Sequence, residues 1–600
     1  MALIVQKFGG TSVANSQMIL AAARKAIRAQ QVGNEVVVVV SAMGKNTDML
    51  VDLAHQINEH PPAREMDMLL ATGEQVSVAL MAMAVNALGY KAVSLTGGQI
   101  GIMTDSSHTK ARIRSISTER MNELLGGGHI VIAAGFQGMD ERHDITTLGR
   151  GGSDTTAVAL AAVLNADQCE IYTDVDGVYT TDPRLLPEAR RLQRISYDEM
   201  LELASLGAGV MHNRSIEFAK KFSVPIHVRS SLSDVSGTLI VGECESPDRP
   251  VCGAALTRTE ARITVIGAPD VPGTSLEIFR RLADQRITVD MIVQNVGKEG
   301  KADVSFTVPQ SELEIALAAV HEAVVVIGAE SVTHDGDVAK VSVVGCGMAK
   351  QTGVADRMFA ALAEQQINIQ MITTSEIKIS CLVHRDDAQN ALRAVHGCFE
   401  LEKEPESIAP MEMNEDAAAP AVTANGEHLE KLIQRLKSDN MEELLLNDIT
   451  LDDSQSRVTM LGIPDQPGVA AHVFEQVAAH GIFVDMIVQT YKGGDQHATL
   501  SFTVPAAQLD KTLAVTGNLA IAYGCRSVTH CPHVAKLSVS GIGLHSHTSV
   551  GIRMFRALAE AGINVDMIST SEVRVNVVVD GRHGDEGLIQ LQKVFADVLA

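Results

Sequence analysis

EVVVVVSAMG, residues 35–44, opens with a run of valines that no half-exposed strand would carry. A strand with one face in water alternates apolar and polar side chains. An unbroken β-branched run belongs in the middle of a parallel sheet, covered on both faces. Working outward, residues 3–5 are a short apolar run that ends in the Gly9-Gly10 turn, and residues 16–29 have helical spacing. Pro61-Pro62 opens a helix containing Arg64 to Glu74, and residues 129–134 and 170–173 read as further buried strands, each followed by a Gly- or Asp-rich turn. This alternation over roughly the first 240 residues predicts an α/β domain: an open, mostly parallel sheet sandwiched by helices. Ligands on such sheets bind at the carboxyl ends of the strands, where these turns lie.

The chain has 600 residues, too many for one hydrophobic core, and is 46% hydrophobic, which fits packed domains rather than disorder. Its 49 basic and 73 acidic residues leave a net charge of -24, which argues against nucleic acid or anionic membrane as a partner. An anionic substrate therefore needs a locally positive pocket. The 8 cysteines include no C-x-x-C pair, so they are read as free thiols, with no zinc site or disulfide framework, and no metal-ligand cluster is expected. Lys7 interrupts the N-terminal apolar run after six residues, and no run reaches about 18 apolar residues. A soluble cytoplasmic enzyme is the expectation.

The second half is built from repeats. ITVIGAPDVPG at 263–273 returns as VTMLGIPDQPG at 458–468, VDMIVQN at 289–295 as VDMIVQT at 484–490, and INIQMITTSE at 367–376 as INVDMISTSE at 563–572. Each copy is itself double, because ITVIGAPDVPG, a helix and ITVDMIVQ resemble VSVVGCGMAKQTG, a helix and INIQMITTS. The pattern is a ferredoxin-like βαββαβ unit occurring four times. The expected division is a catalytic domain at 1–245, modules at 246–335 and 336–400 sharing a strand, an acidic linker and helix at 401–440, and modules at 441–530 and 531–600. The helical pattern after the linker runs over residues 427–446.

Three glycine-rich or aspartate-rich segments stand out, the first and the third each following a predicted strand and the second at a helix start. KFGGTS, 7–12, is read either as an ordinary turn or as a backbone nest for phosphate, with Lys7 as a point charge. In LGRGGSDTTA, 148–157, Ser153 or Asp154 could cap the helix, while the same helix start favours an anion and Arg150 offers a planar fork for a carboxylate. TDVDGVYTTDPR, 173–184, is either a nucleotide loop or a plain Asp-Gly turn. No Walker or protein-kinase motif occurs.

KFGGTS, SAMG with Thr47, REMDMLLATGEQ at 64–75, AGFQG at 134–138, LGRGGSDTT and TDVDGVYTTDPR, in that order, closely resemble the motifs of aspartate kinases, and the repeats resemble ACT domains, the amino-acid-sensing modules those enzymes carry. The resemblance implies transfer of the ATP γ-phosphoryl group to aspartate with Mg²⁺, the first step towards lysine, threonine and methionine. Lys7, Phe8, Gly9, Gly10, Ser41, Thr173, Asp174, Tyr179, Arg184 and Gly209 would hold the nucleotide. Thr47, Glu74, Arg150, Gly151, Gly152, Ser153 and Asp154 would hold aspartate, with Lys7, Arg150 and Asp154 closest to catalysis. Gly209 stands where the family often has a lysine, and two ACT pairs replace the usual one.

In ACT modules, effectors bind at the loop between first strand and helix, here 270–274, 351–354, 465–469 and 548–550. Lysine, threonine or both are the implied effectors, with Asp270, Gly273, Thr274, Thr288, Val289, Asp290, Gln294, Gly353, Val354, Asn368, Ile369, Asp465, Gly468, Asp485, Gln489 and Asn564 as contacts. Ser549 replaces the glycine of the second module's loop. Pairing of such modules implies a homo-oligomer, a dimer through the ACT domains. The rival readings are a kinase for another amino acid such as glutamate, and a non-catalytic amino-acid sensor.

Overall fold

The computed structural model describes residues 1–246, 248–296, 300–348, 351–405, 441–442, 444–491, 497–544 and 549–599. Most of the expected 401–440 linker, the helical pattern up to residue 440, and Thr548 lie outside the described residues. Where that pattern continues beyond 440, the structure departs from it: Met441 and Glu442 form a turn and Leu445–Pro464 is a strand. The apolar run LLL can pair in a sheet edge as readily as it can line a helix, and tertiary pairing decides.

The N-terminal region holds an eight-stranded sheet in the order Arg194–Ser196, Thr238–Val241, Ile226–Ser230, Gln168–Thr173, Leu3–Phe8, Glu35–Val40, Ile130–Ala134 and Ala92–Leu95. All neighbours are parallel except Ile226–Ser230 with Thr238–Val241. The valine run explains itself here. Val36, Val38 and Val40 enter the core under helices Ser16–Gln31 and Ala63–Ala87, while Val37 and Val39 enter the core under Gly152–Val163 and Asn213–Phe222. Each alternate side chain thus meets a different helical layer. Asn15 caps the first helix by accepting from Met18 N at 3.0 Å. The helix Ala63–Ala87 is long and apolar enough by composition to cross a membrane, yet one face of it is core, with Leu70, Val78, Met81 and Val85 buried. A small four-stranded sheet, Ile113–Ile116, Ile102–Thr104, Gln137–Met139 and Ile145–Thr147, sits beside this domain and was not legible as a separate layer.

The four modules form one twelve-stranded sheet. Gly253–Pro269 pairs with Ser331–Val344 across the first two modules, and Leu445–Pro464 with Ser527–Ile542 across the last two. Met371–Thr374 then pairs with Ile487–Tyr491 to join the halves. Met291, Met371, Met486 and Met567, equivalent positions of the four repeats, meet in a single buried cluster. On the outer face, Phe279 of helix Thr274–Asp284 packs on Phe555 of helix Ser549–Glu560 at 5.8 Å, and Phe359 of Val354–Glu364 on Phe474 of Val469–Ala479 at 5.5 Å. Module 1 therefore pairs with module 4 and module 2 with module 3. Both pairings are made within one chain, because duplication supplies both partners.

Candidate active site and effector cavities

Leu3–Phe8 runs between Glu35–Val40 and Gln168–Thr173, so the turns leaving these strands lie side by side. Lys7 is nearly buried, and its Nζ lies 2.5 Å from Asp154 Oδ1. Ser41 N donates to Phe8 O at 3.2 Å and Gly44 N to Gly10 O at 3.0 Å. A Cβ on Gly10 would stand 2.9 Å from Ala42 O, so the two turns interlock only because that side chain is missing. Phe8 is a correction. Its ring is fully buried and stacked on Tyr172 at 4.7 Å, so it packs the core and only its backbone reaches the turn. Thr47 sits half-buried in the first turn of helix Asn46–Ile57.

Arg150 is exposed between Gly149 (φ 78) and Gly151 (φ 72). A Cβ on Gly151 would lie 2.4 Å from His212 Cβ. Helix Gly152–Val163 starts from this left-handed glycine and has no side-chain cap, which corrects the capping role open to Ser153 and Asp154. Asp154 turns to Lys7 instead, and Ser153 packs so close that a Cβ on Gly135 would meet its Oγ at 2.7 Å. Gly152 N donates to Gly149 O at 3.0 Å, and the amides of Ser153 and Asp154 at this open helix start suit an anion.

Glu74 Oε1 accepts from Ala42 N at 3.0 Å, while its Oε2 is buried with no hydrogen-bond partner among the described residues. Burial pushes this carboxyl up to about 7. Only the ionised form attracts an ammonium group. We expect kcat/KM for aspartate to rise with pH and level off above about 7, and Glu74→Gln to lose that inflection. A wild-type profile that is flat between about pH 6 and 8 would remove Glu74 from substrate binding.

On the nucleotide side, Thr173 Oγ1 donates to Asp174 Oδ1 at 3.1 Å, and Ser231 N and Oγ both donate to Thr173 O. Asp174 is exposed. Tyr179 OH donates to Asp176 Oδ1 at 2.8 Å, and Arg184 forks onto Asp182 at 3.0 and 2.7 Å while 88% exposed. Both side chains are held by aspartates of their own turn. Gly209 lies in an open turn, where an added Cβ would meet nothing nearer than Gly207 O at 4.0 Å.

Asp67 was missed by the sequence reading. Fully buried, it accepts from Thr147 Oγ1 at 2.5 Å, His108 Nδ1 at 2.8 Å and Thr109 N at 3.0 Å. It thereby ties the helix that carries Glu74 to the strand that leads into the Arg150 loop. The one acid inside the apolar MDMLL face was its available signal. His108, Asp140 and Asp144 come within metal-ligand reach of one another, but Asp140 accepts from Ser106 Oγ and Asp144 pairs with Arg64.

The residues expected to contact effectors gather at the module 1–4 and module 2–3 interfaces. Asn564 Nδ2 donates to Asp270 Oδ1 at 2.7 Å, and Gln294 Nε2 to Val565 O at 2.6 Å. The other interface repeats this with Asn368 and Asp465 at 3.0 Å, and Gln489 and Ile369 O at 2.9 Å, around a closed space of about 10 Å³. Gly273 and Gly468 start their helices in the left-handed region, and Thr274 Oγ1 donates to Pro269 O at 2.7 Å. Two larger cavities adjoin. One of about 120 Å³ is lined by Thr288, Val289, Asp290, Lys378, Ser571 and Glu572, and one of about 220 Å³ by Gly353, Val354, Ser375, Glu376 and Asp485. Burial would push Asp290 up, but Lys340 and Lys378 outweigh it and hold it well below the usual carboxylate range. Asp485 pairs with Lys536.

Residues 2–230 match the amino acid kinase family, and residues 263–324, 341–399, 458–516 and 537–595 each match the ACT domain. An aspartate kinase of Stutzerimonas stutzeri is 51% identical over 404 residues, covering 67% of this chain and 98% of that protein. Aspartokinase 2 of Bacillus subtilis is 51% identical over 409 residues, covering 68% and 100%. The crystal structure of aspartate kinase from Synechocystis aligns over 99% of this chain and 98% of its own, with 37% identity and a TM-score of 0.51. E. coli aspartokinase III, solved with aspartate and ADP, covers 66% of this chain and 99% of its own at 26% identity and a TM-score of 0.54. A glycine-turned phosphotransfer site on a doubly covered parallel sheet, followed by four paired sensing modules, defines an amino-acid kinase with ACT regulation. More narrowly, the chain belongs to the aspartate kinase family.

Proposed function

We propose that this chain transfers the γ-phosphoryl group of ATP to the side-chain carboxylate of L-aspartate, giving ADP and 4-phospho-L-aspartate. The observation that carries the reading is the meeting of Lys7 with Asp154, four residues beyond Arg150, at the carboxyl ends of the central strands. E. coli aspartokinase III, a fellow member of the family, was solved with aspartate and ADP, which supports both substrates.

The acceptor carboxylate has an ordinary pKa of about 3.9 and is already a nucleophile at neutral pH, so no general base is needed. The obstacle is bringing two anions together. Arg150 takes the α-carboxylate through its fork, Glu74 the α-ammonium, and Lys7 with the Gly10 amide neutralises the transferring oxygens, the Gly9 amide being held by Tyr172 O at 3.3 Å. Mg²⁺ fits the donor set: the exposed Asp174 carboxylate adjoins the phosphate turn, and a phosphate-bound ion when present supplies further neutralisation.

The interface cavities are read as sites for lysine, threonine or both. E. coli aspartokinase III was also solved with lysine, which supports lysine as one of them. Lys378, in the wall of the module 1–4 cavity, pairs at 2.9 Å with the fully buried Glu202 of kinase helix Tyr197–Ser205, which gives an effector a direct route to the catalytic domain. A homo-oligomer through the ACT domains belongs to the same reading, and a cytoplasmic location suits substrates such as ATP and aspartate. An ATP-consumption assay with aspartate, glutamate or no acceptor, with and without lysine and threonine, tests the whole reading. Aspartate-dependent turnover that lysine or threonine inhibits is expected. Turnover with glutamate alone, or none, overturns the substrate, and indifference to both amino acids overturns the regulation.

A further inference from the structure

Arg214 and Glu442 form an ion pair that none of the catalytic motifs points to. Arg214 lies on helix Asn213–Phe222 of the kinase domain, and Glu442 lies just before the strand that opens the third ACT module. The guanidinium grips the carboxylate as a fork, Nε to Oε2 at 2.7 Å and Nη2 to Oε1 at 2.6 Å, with side-chain exposures of 15% and 9%. Its remaining donors go to backbone: Nη1 to Leu148 O at 2.5 Å and Nη2 to Ala111 O at 2.7 Å. Glu442 Oε1 also accepts from Ile113 N at 2.8 Å. The segment is held further by Met441 N donating to Arg114 O at 3.0 Å and by Lys221 Nζ donating to Met441 O at 3.1 Å.

Leu148 O is the last carbonyl before Gly149-Arg150-Gly151. The loop's own ties are to the helix start, Gly152 N to Gly149 O and Thr155 N to Gly151 O, both at 3.0 Å, and no side chain of its own adds to them, because its flanking glycines have none and Arg150 is exposed. On one side it rests against His212, the residue that begins the helix of Arg214. On the other it hangs from the Arg214 guanidinium. An arginine held at only one end can swing; a buried bidentate partner fixes the plane of its fork. Arg150, Arg214 and Glu442 line one cavity of about 300 Å³, whose wall also includes Ile542 and Gly543 of the fourth module.

We propose that Glu442 is a positioning residue for the aspartate-binding loop, acting through Arg214, so that the lead-in to the second ACT pair completes the kinase site. The inference rests on Arg150 being the ligand of the substrate α-carboxylate. That contact is made equally before and during phosphoryl transfer, so misplacing the loop weakens aspartate binding without slowing the chemical step.

The test is steady-state kinetics of the full-length chain with thermal unfolding measured in parallel. Glu442→Ala is expected to raise KM for aspartate about tenfold, with kcat and KM for ATP within about twofold of wild type. Glu442→Gln, which keeps an acceptor for Ile113 N and one guanidinium bond, should give a smaller rise in the same constant. Should the alanine variant fail to accumulate, the glutamine variant decides. An unchanged KM for aspartate, whatever happens to the Tm, assigns the pair to stability alone and overturns the proposal. So does a parallel rise in both KM values. Wild type without aspartate-dependent turnover would instead sink the proposed function, which separates the two failures.

Discussion

Lys7→Ala is expected to lower kcat by on the order of 10²-fold or more, the cost of removing one electrostatic donor from a developing charge. KM for aspartate should move far less. The structure adds a second consequence. Lys7 is the partner of Asp154, and both side chains are almost out of solvent, at 11% and 13% exposure. Removing the lysine strands a carboxylate, a change that costs on the order of 3 kcal/mol when one member of a buried pair is deleted. The double variant Lys7→Ala/Asp154→Ala should therefore recover much of the lost thermal stability while staying as inactive as Lys7→Ala. Calorimetry and initial rates on the three proteins check this. Near-normal kcat in Lys7→Ala would remove the lysine from the mechanism, and a double variant no more stable than the single would show that the pair is not a coupled unit.

Arg150→Ala should reduce kcat/KM for aspartate by about 10²-fold, as expected for two charge-assisted hydrogen bonds to one carboxylate. Arg150→Lys keeps the charge but loses the planar fork, and should remain impaired by about tenfold. Because Arg150 is exposed and flanked by glycines, neither substitution disturbs the core, and the Tm should hold. An Arg150→Lys enzyme with wild-type constants would show that the site needs only a positive charge there.

Much of the catalytic half was legible because its signals are local. A valine run, two adjacent glycines after a strand and a glycine-rich helix start each fix their own backbone, and the backbone fixes where Lys7, Arg150 and Asp154 stand. The exceptions are instructive. Phe8 sits inside a functional motif, yet strand alternation sends its ring into the core against Tyr172. Ser153 and Asp154 look like caps, yet the helix starts uncapped because Lys7 offers Asp154 a stronger partner. Asp67 and Glu442 act through residues distant in the chain, and no spacing rule reaches them.

The sequence by itself determined the central parallel strands, the glycine turns that leave them and the existence of four equivalent modules, since propensity, glycine and periodicity act within a few residues. Only the tertiary structure decided that module 1 joins module 4 and module 2 joins module 3, and that Arg214 waits for a carboxylate 228 residues away. The repeats are too alike for local pattern to rank their pairings. That choice is made where helix faces, strand edges and four buried methionines close around one shared core.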